Sequence, residues 1–317
     1  MREQIIKLQN FMDSQIVGQK SLINKLIISM LADGNVLVEG APGLAKTKAI
    51  KILGSVIKAD YNRIQFTPDL LPSDITGSEI YLHNEGKFEF RQGPIFANLV
   101  LADEINRAPA KVQSALLEAM AERQVSVGGK KYKLPELFMV MATQNPIEHE
   151  GTYNLPEAQL DRFLMYVKID QPDAVAEKEI LRIVRGAALK GETKPDFSMT
   201  VNDVLSARKQ ALGVHMSEAM EEYIVQLVMA TRDIDKYDKN LKNYISFGAS
   251  PRATIALDRC ARVCAWLKGK DFVTPEDVHE VVYEILRHRI ILSFEAQAES
   301  VSADDIIETI LQKVALP

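Results

Sequence analysis

The run Gly40-Ala41-Pro42-Gly43-Leu44-Ala45-Lys46-Thr47 constrains this chain more than any other stretch. It follows the apolar Val36-Leu37-Val38 and opens a helix-like segment over 46–57, so the local order is strand, glycine-containing loop, helix. In such a loop successive backbone N–H groups point inward and the helix N-terminus adds partial positive charge, which suits a polyphosphate. Lys46 then reaches the β and γ phosphates, and the Thr47 hydroxyl is placed to hold Mg²⁺. One position departs from the usual pattern. Glycine normally precedes the lysine, where a side chain crowds the phosphate, and here Ala45 stands in its place.

The flanking sequence reads as an α/β unit. Residues 1–14 carry Ile5, Leu8, Phe11 and Met12 at helical spacing, and a second apolar helix over 21–31 follows the break Ile16-Val17-Gly18-Gln19. Residues 61–66 form a strand, and 67–74 a proline-punctuated loop with a short helix. Residues 79–82 and 87–90 alternate around the turn His83-Asn84-Glu85-Gly86, the pattern of an inserted hairpin. A short helix is expected next. Residues 97–102 then read as a strand buried on both faces, delivering Asp103 and Glu104 to the crevice where doubly wound sheets bind ligands. An amphipathic helix over 110–122 leads to a second hairpin, 125–134, around Gly128-Gly129. Another buried strand, 137–142, ends at Thr143-Gln144-Asn145-Pro146, where the proline stops it. A polar loop, the segment 156–163 and a last strand over 164–169 complete the unit.

At 317 residues the chain exceeds what one core usually organises, roughly 250 to 300 residues, so two domains are expected. Gln171-Pro172-Asp173 marks the boundary, giving domains 1–171 and 172–317. The second reads as helices only: 176–189, 201–212, 217–232, 251–267, 275–288 and 304–314. Thr274-Pro275-Glu276-Asp277 and the box from Ser302 to Asp305 mark two helix starts. Cys260 and Cys264 share one face of a helix with no metal-ligand partner and read as small buried hydrophobes. His83, His149 and His215 fall in loops, the other two histidines in a helical stretch, and none is assigned chemistry. No apolar run suits a signal peptide or a membrane span, so a cytoplasmic protein is expected. The net charge of -5 counts against a nucleic-acid binder, although Lys130-Lys131-Tyr132-Lys133 could grip phosphates and stack one base. The alternative is a solvated hairpin tip.

Hydrolysis of a γ-phosphate needs a cradle, a divalent ion, an activated water and positive charge for the transition state. Lys46 and Thr47 supply the cradle and a metal ligand, Asp103 a second metal contact, Glu104 the base, and Asn145 a contact to water or the γ-phosphate. Read singly, Asp103 and Glu104 could cap the following helix and Asn145 could be a turn residue; their common placement at strand ends favours the site.

The loop with alanine before its lysine, Leu101-Ala102-Asp103-Glu104-Ile105-Asn106-Arg107-Ala108-Pro109, Ala142-Thr143-Gln144-Asn145-Pro146, Leu155-Pro156-Glu157-Ala158-Gln159-Leu160-Asp161-Arg162-Phe163 and Ser250-Pro251-Arg252-Ala253 together resemble the MoxR family of AAA+ ATPases. Alanine at that loop position is usual in the family. The resemblance implies an AAA+ αβα phosphate-loop core with a parallel sheet and two β-hairpin inserts, followed by an all-α lid. It also implies a homo-oligomeric ring, typically a hexamer, with ATP between subunits. Asn145 then matches sensor 1, Arg162 the arginine finger reaching a neighbour's site, and Arg252 the sensor 2 arginine of the lid. Val17 and Gly18 match the segment packed on adenine, and the hairpins match inserts that face the pore. Arg162 could instead pair with a nearby carboxylate such as Glu157; Arg107 and Arg123 are further candidates to cross an interface.

The expectation is a Mg²⁺-dependent ATPase, binding ATP and ADP, that remodels or matures a protein complex. The resemblance suggests clients with a von Willebrand factor A domain. The alternatives are a DNA-associated remodeller, clamp-loader-like or helicase-loader-like, and a nucleotide switch that does not hydrolyse.

Overall fold

The computed structural model of the protein describes residues 1–146, 151–191, 193–238, 241 and 243–317, so His149 lies outside the described residues. Helices α1 (Arg2–Gln15) and α2 (Lys20–Leu31) precede the sheet. Then come β1 (Val36–Glu39), α3 (Lys46–Ile57), β2 (Tyr61–Gln65) and the short α4 (Pro72–Thr76). The hairpin β3 (Gly77–Leu82) and β4 (Lys87–Gln92) leads to β5 (Leu99–Asp103) and α5 (Ala110–Glu122). The hairpin β6 (Gln124–Val127) and β7 (Lys130–Lys133), then β8 (Met139–Gln144), α6 (Glu157–Leu160) and β9 (Met165–Lys168), complete the α/β half.

Five parallel strands form one sheet in the order β2-β5-β8-β1-β9. The three central strands are almost wholly buried, which is why they read as unbroken apolar runs. Alternation along β1 sends Val36 and Val38 into an apolar cluster with α1, α2 and α3, and Leu37 into a second with α5. Each sheet face is thus sealed by helices, and the expected αβα core with two hairpin inserts is present. In the second hairpin Gly128 (φ +57°) and Gly129 (φ +76°) supply the paired left-handed positions that a two-residue turn demands.

The short helix expected after the first hairpin does not form. Around 93–98 the backbone bonds sideways instead, Ile95 N–H donating to the Ile75 carbonyl at 3.2 Å and the Asn98 carbonyl accepting the Met139 N–H at 2.8 Å. Those groups are consequently lost to any helical ladder.

The second half comprises α7 (Ala174–Lys190), α8 (Val201–Leu212), α9 (Glu218–Ala230), β10 (Ile245–Phe247) and α10 (Pro251–Leu267). It continues with α11 (Pro275–His279), α12 (Val282–Leu286), β11 (Ile291–Leu292), α13 (Phe294–Ala298) and α14 (Ala303–Lys313). Beyond the expected helices, β10 and β11 pair as a small antiparallel ribbon. The helix expected over 275–288 is two: the Lys25 ammonium takes the Glu280 carbonyl, while the Glu280 carboxylate binds Asn24 (2.8 Å) and Lys268 (2.6 Å). Both capping boxes form as read, at Thr274 and Ser302. Cys260 and Cys264 are free buried thiols, and burial pushes Cys260 up to about 12, which suits inert packing. The first apolar cluster runs on through Val204, Leu227, Leu257 and Ile285, so the helical half shares its core with α1, α2 and α3. Among the described residues no helix is long and apolar enough to cross a membrane.

Candidate nucleotide site

The loop after β1 is shaped by close approach and backbone handedness. A Cβ on Gly40 would sit 2.3 Å from Ile169 Cγ1, so the residue that follows β9 packs where only glycine fits, and Gly43 turns at φ +86°. Ala45 also adopts the left-handed region (φ +57°, ψ +17°), immediately before the first residue of α3. Ala41 is half-buried, Pro42 and Gly43 are exposed, and Leu44 anchors the loop in the core. Lys46 Nζ crosses the loop to the Gly40 carbonyl at 2.6 Å. Burial lowers its pKa, against the opposing pull of Asp103, Glu104 and Glu39. Thr47 is half-buried in the first turn of α3.

Sheet order brings the acidic pair to the same edge. Thr143 of β8 stands opposite Val38 of β1, and β8 separates β1 from β5, whose last residue is Asp103. The Thr143 hydroxyl donates to Asp103 Oδ1 at 2.6 Å and accepts the Glu104 N–H at 2.9 Å. Asp103 Oδ2 accepts from Arg63 Nη2 (2.7 Å) and Nε (3.1 Å). Glu104, left-handed at φ +56°, accepts from Gln65 Nε2 at 2.8 Å and pairs with Arg107 Nε at 3.1 Å. Asn145 follows β8 directly and is buried. Val17 and Gly18 lie where Lys48 Nζ reaches the Gln15 carbonyl (2.9 Å) and Gln19 Nε2 the Asp170 carbonyl (3.2 Å). They therefore border both the loop helix and the chain leaving β9.

The glycine-containing loop, Lys46 and the N-terminus of α3 together suit a polyphosphate. Hydroxyl and carboxylate oxygens from Thr47 and Asp103 suit Mg²⁺. Among the described residues no group of three or more His, Cys, Asp or Glu is placed to hold a metal ion.

The two arginines singled out from the sequence lie elsewhere. Arg162 and Arg252 line a cavity of about 270 Å³ with Asp33, Asn35 and Leu164, residues that precede β1 and β9. The loop instead follows β1, so about 13 Å of strand separates the two places. Asp161 joins the arginines' surroundings: Ser250 Oγ donates to it at 2.8 Å, Arg252 Nη1 at 3.2 Å and the buried Arg289 Nε at 2.8 Å. Arg162 Nη1 donates to the Leu117 carbonyl at 2.8 Å rather than pairing with Glu157. Arg123, a candidate to cross an interface, is held in its own chain by Asp33 Oδ1 at 2.8 Å. Arg63, Gln65, Thr143 and Asp161 were not singled out. Arg63 and Gln65 carry a faint signal, polar residues two apart on one strand face. Tyr132, the aromatic of the basic patch, stacks on Phe90 at 4.0 Å and 24° and so is already covered.

A five-stranded parallel sheet in this order, with a lysine-bearing phosphate loop, an acidic pair on the second strand over and a helical lid, defines an AAA+ ATPase. Residues 35–165 match the ATPase family associated with various cellular activities, and residues 238–310 match the AAA lid domain. The chain belongs to the MoxR family of these proteins. It is 45% identical to Chaperone MoxR1 of Mycobacterium tuberculosis over 95% of this chain and 79% of that one. It is 34% identical to Protein MoxR of Paracoccus denitrificans, over 88% and 86%. A solved structure from Cytophaga hutchinsonii is 47% identical and superposes with a TM-score of 0.93 over 100% of this chain and 96% of that chain.

Proposed function

We propose that the protein hydrolyses ATP to ADP with Mg²⁺ in sites completed by a neighbouring copy, and uses the cycle to remodel a protein complex. Lys46 and the loop amides hold the phosphates, and Thr47 and Asp103 hold the metal. Bound Mg²⁺ neutralises phosphate charge. Glu104 takes the proton of the attacking water, which Asn145 orients. Val17 and Gly18 pack on adenine.

One observation carries the reading of a shared site: Arg162 and Arg252 sit together at the N-terminal edge of the sheet, whereas the loop sits at the C-terminal edge. Neither guanidinium serves its own loop, so each serves the next copy's phosphates, where a planar fork suits the transferred group. Head-to-tail contacts of this kind close into a ring, which the family resemblance makes a hexamer. The remodelling role draws support from the relative named a chaperone. A client with a von Willebrand factor A domain and a cytoplasmic setting complete the proposal.

Co-expression tests it. Lys46→Ala and Arg162→Ala proteins should each lose ATP turnover. Co-expressed in equal amounts they should recover roughly a quarter of the wild-type rate, the share of random interfaces that pair an intact loop with an intact arginine. A mixture as inactive as its parents would place the arginine in the service of its own chain and overturn the reading.

A further inference from the structure

We propose that Arg63 is a displaceable internal cation, which holds Asp103 until a divalent metal arrives with the nucleotide and thereby sets the metal concentration at which the site fills. The inference rests on the reading of Asp103 as a metal ligand.

Both Asp103 carboxylate oxygens are engaged. Oδ1 accepts from the neutral Thr143 hydroxyl at 2.6 Å; Oδ2 accepts two bonds from the Arg63 guanidinium, at 2.7 and 3.1 Å. A hydroxyl on Oδ1 leaves room for a metal ion on the other oxygen, but a full positive charge this close to Oδ2 does not, because the two cations repel across a shared ligand. The exposures fit an exchange. Asp103 is 13% exposed and stays in place, whereas the Arg63 side chain is 48% exposed and can swing into water without leaving a buried charge behind. Arg63 stands on the edge strand β2, so nothing in the sheet covers its outer side.

Its departure has a second effect. Arg63 Nη2 also donates to Gln65 Oε1 at 2.7 Å, and Gln65 Nε2 donates to Glu104 Oε2 at 2.8 Å. Gln65 faces Asp103 in the strand register, and Arg63 is two residues back on the same face. The Asp103–Arg63–Gln65–Glu104 chain therefore restrains the metal ligand and the base through one carboxamide. When metal displaces the guanidinium, Gln65 loses the donor that fixes it, and Glu104, still paired with Arg107 Nε at 3.1 Å, gains freedom to pivot about that pair. Arg63 is a positioning residue that ties metal occupancy to the orientation of the base.

The test titrates Mn²⁺ into the full-length protein with a fluorescent ATP analogue, with bound Mn²⁺ counted by electron paramagnetic resonance. Arg63→Ala and Arg63→Gln should lower the half-saturating Mn²⁺ concentration by about three- to tenfold, the range expected for a partly exposed ion pair. Nucleotide affinity without metal should not change, and Arg63→Lys, which keeps the charge and loses the fork, should fall between. An unchanged or raised metal requirement in both uncharged variants would overturn the proposal. Asp103→Asn separates the two layers. If it weakens Mn²⁺ binding while the Arg63 variants do nothing, only the role of Arg63 fails. If it leaves Mn²⁺ binding untouched, the reading of Asp103 as a metal ligand fails first.

Discussion

Ala45 shows how much a single backbone angle explains. The usual glycine before the lysine avoids crowding a phosphate, but the angle of +57° adds a conformational reason, since a Cβ in the left-handed region is strained. Ala45→Gly should therefore raise unfolding stability by up to about 1 kcal/mol in urea titrations, less the extra entropy of the unfolded chain. A loss of stability would show that the alanine methyl packs usefully. The placement of Lys46 and Thr47 at the start of α3, and of Asp103 and Glu104 at the end of β5, was legible because each sits in a short local pattern. The Arg63–Asp103 pair was not, because it depends on β2 lying next to β5, and strand order leaves no mark in the spacing of a single sequence.

Elements meet at Asp161. This carboxylate follows α6, receives Ser250 and Arg252 from the start of α10, and receives the buried Arg289 from beyond α12. Removing it strands a guanidinium that is 2% exposed, so Asp161→Ala should lower unfolding stability by about 3 to 5 kcal/mol. Arg252→Ala, whose side chain is 54% exposed, should cost no more than about 1 kcal/mol. Equal costs for the two variants in denaturant titrations would dismiss Asp161 as the anchor. Helix and strand identities were largely visible from period, yet the break between α11 and α12 was not. It follows from Lys25, a residue far back in the chain that captures the Glu280 carbonyl. The hairpins were legible as hairpins. That they lean on each other through Phe90 and Tyr132 was not, because cross-insert stacking needs the sheet to place them.

At the scale of the molecule, the helical half is fastened to the start of β9, where residues beyond α12 reach the Phe163 and Leu164 carbonyls. His288 lies in this seam: its Nε2 meets the Phe163 carbonyl at 3.2 Å, beside Arg289 Nη2, which donates to the same oxygen at 2.6 Å. Burial pushes the imidazole pKa well below its ordinary value of 6.5, and the adjacent Arg289 charge lowers it further. Below pH 6.5 the unfolded chain binds this proton while the folded chain does not, so stability falls as pH drops. The contribution approaches about 1.4 kcal/mol per pH unit until the folded-state pKa is reached. His288→Gln keeps a donor for the Phe163 carbonyl and removes the titration. Its unfolding free energy should therefore decline less between pH 7 and pH 5 than that of the wild type, with the difference growing toward acid. Parallel declines would mean that the seam admits a proton at no cost, and that the helical half is held less tightly than these contacts imply.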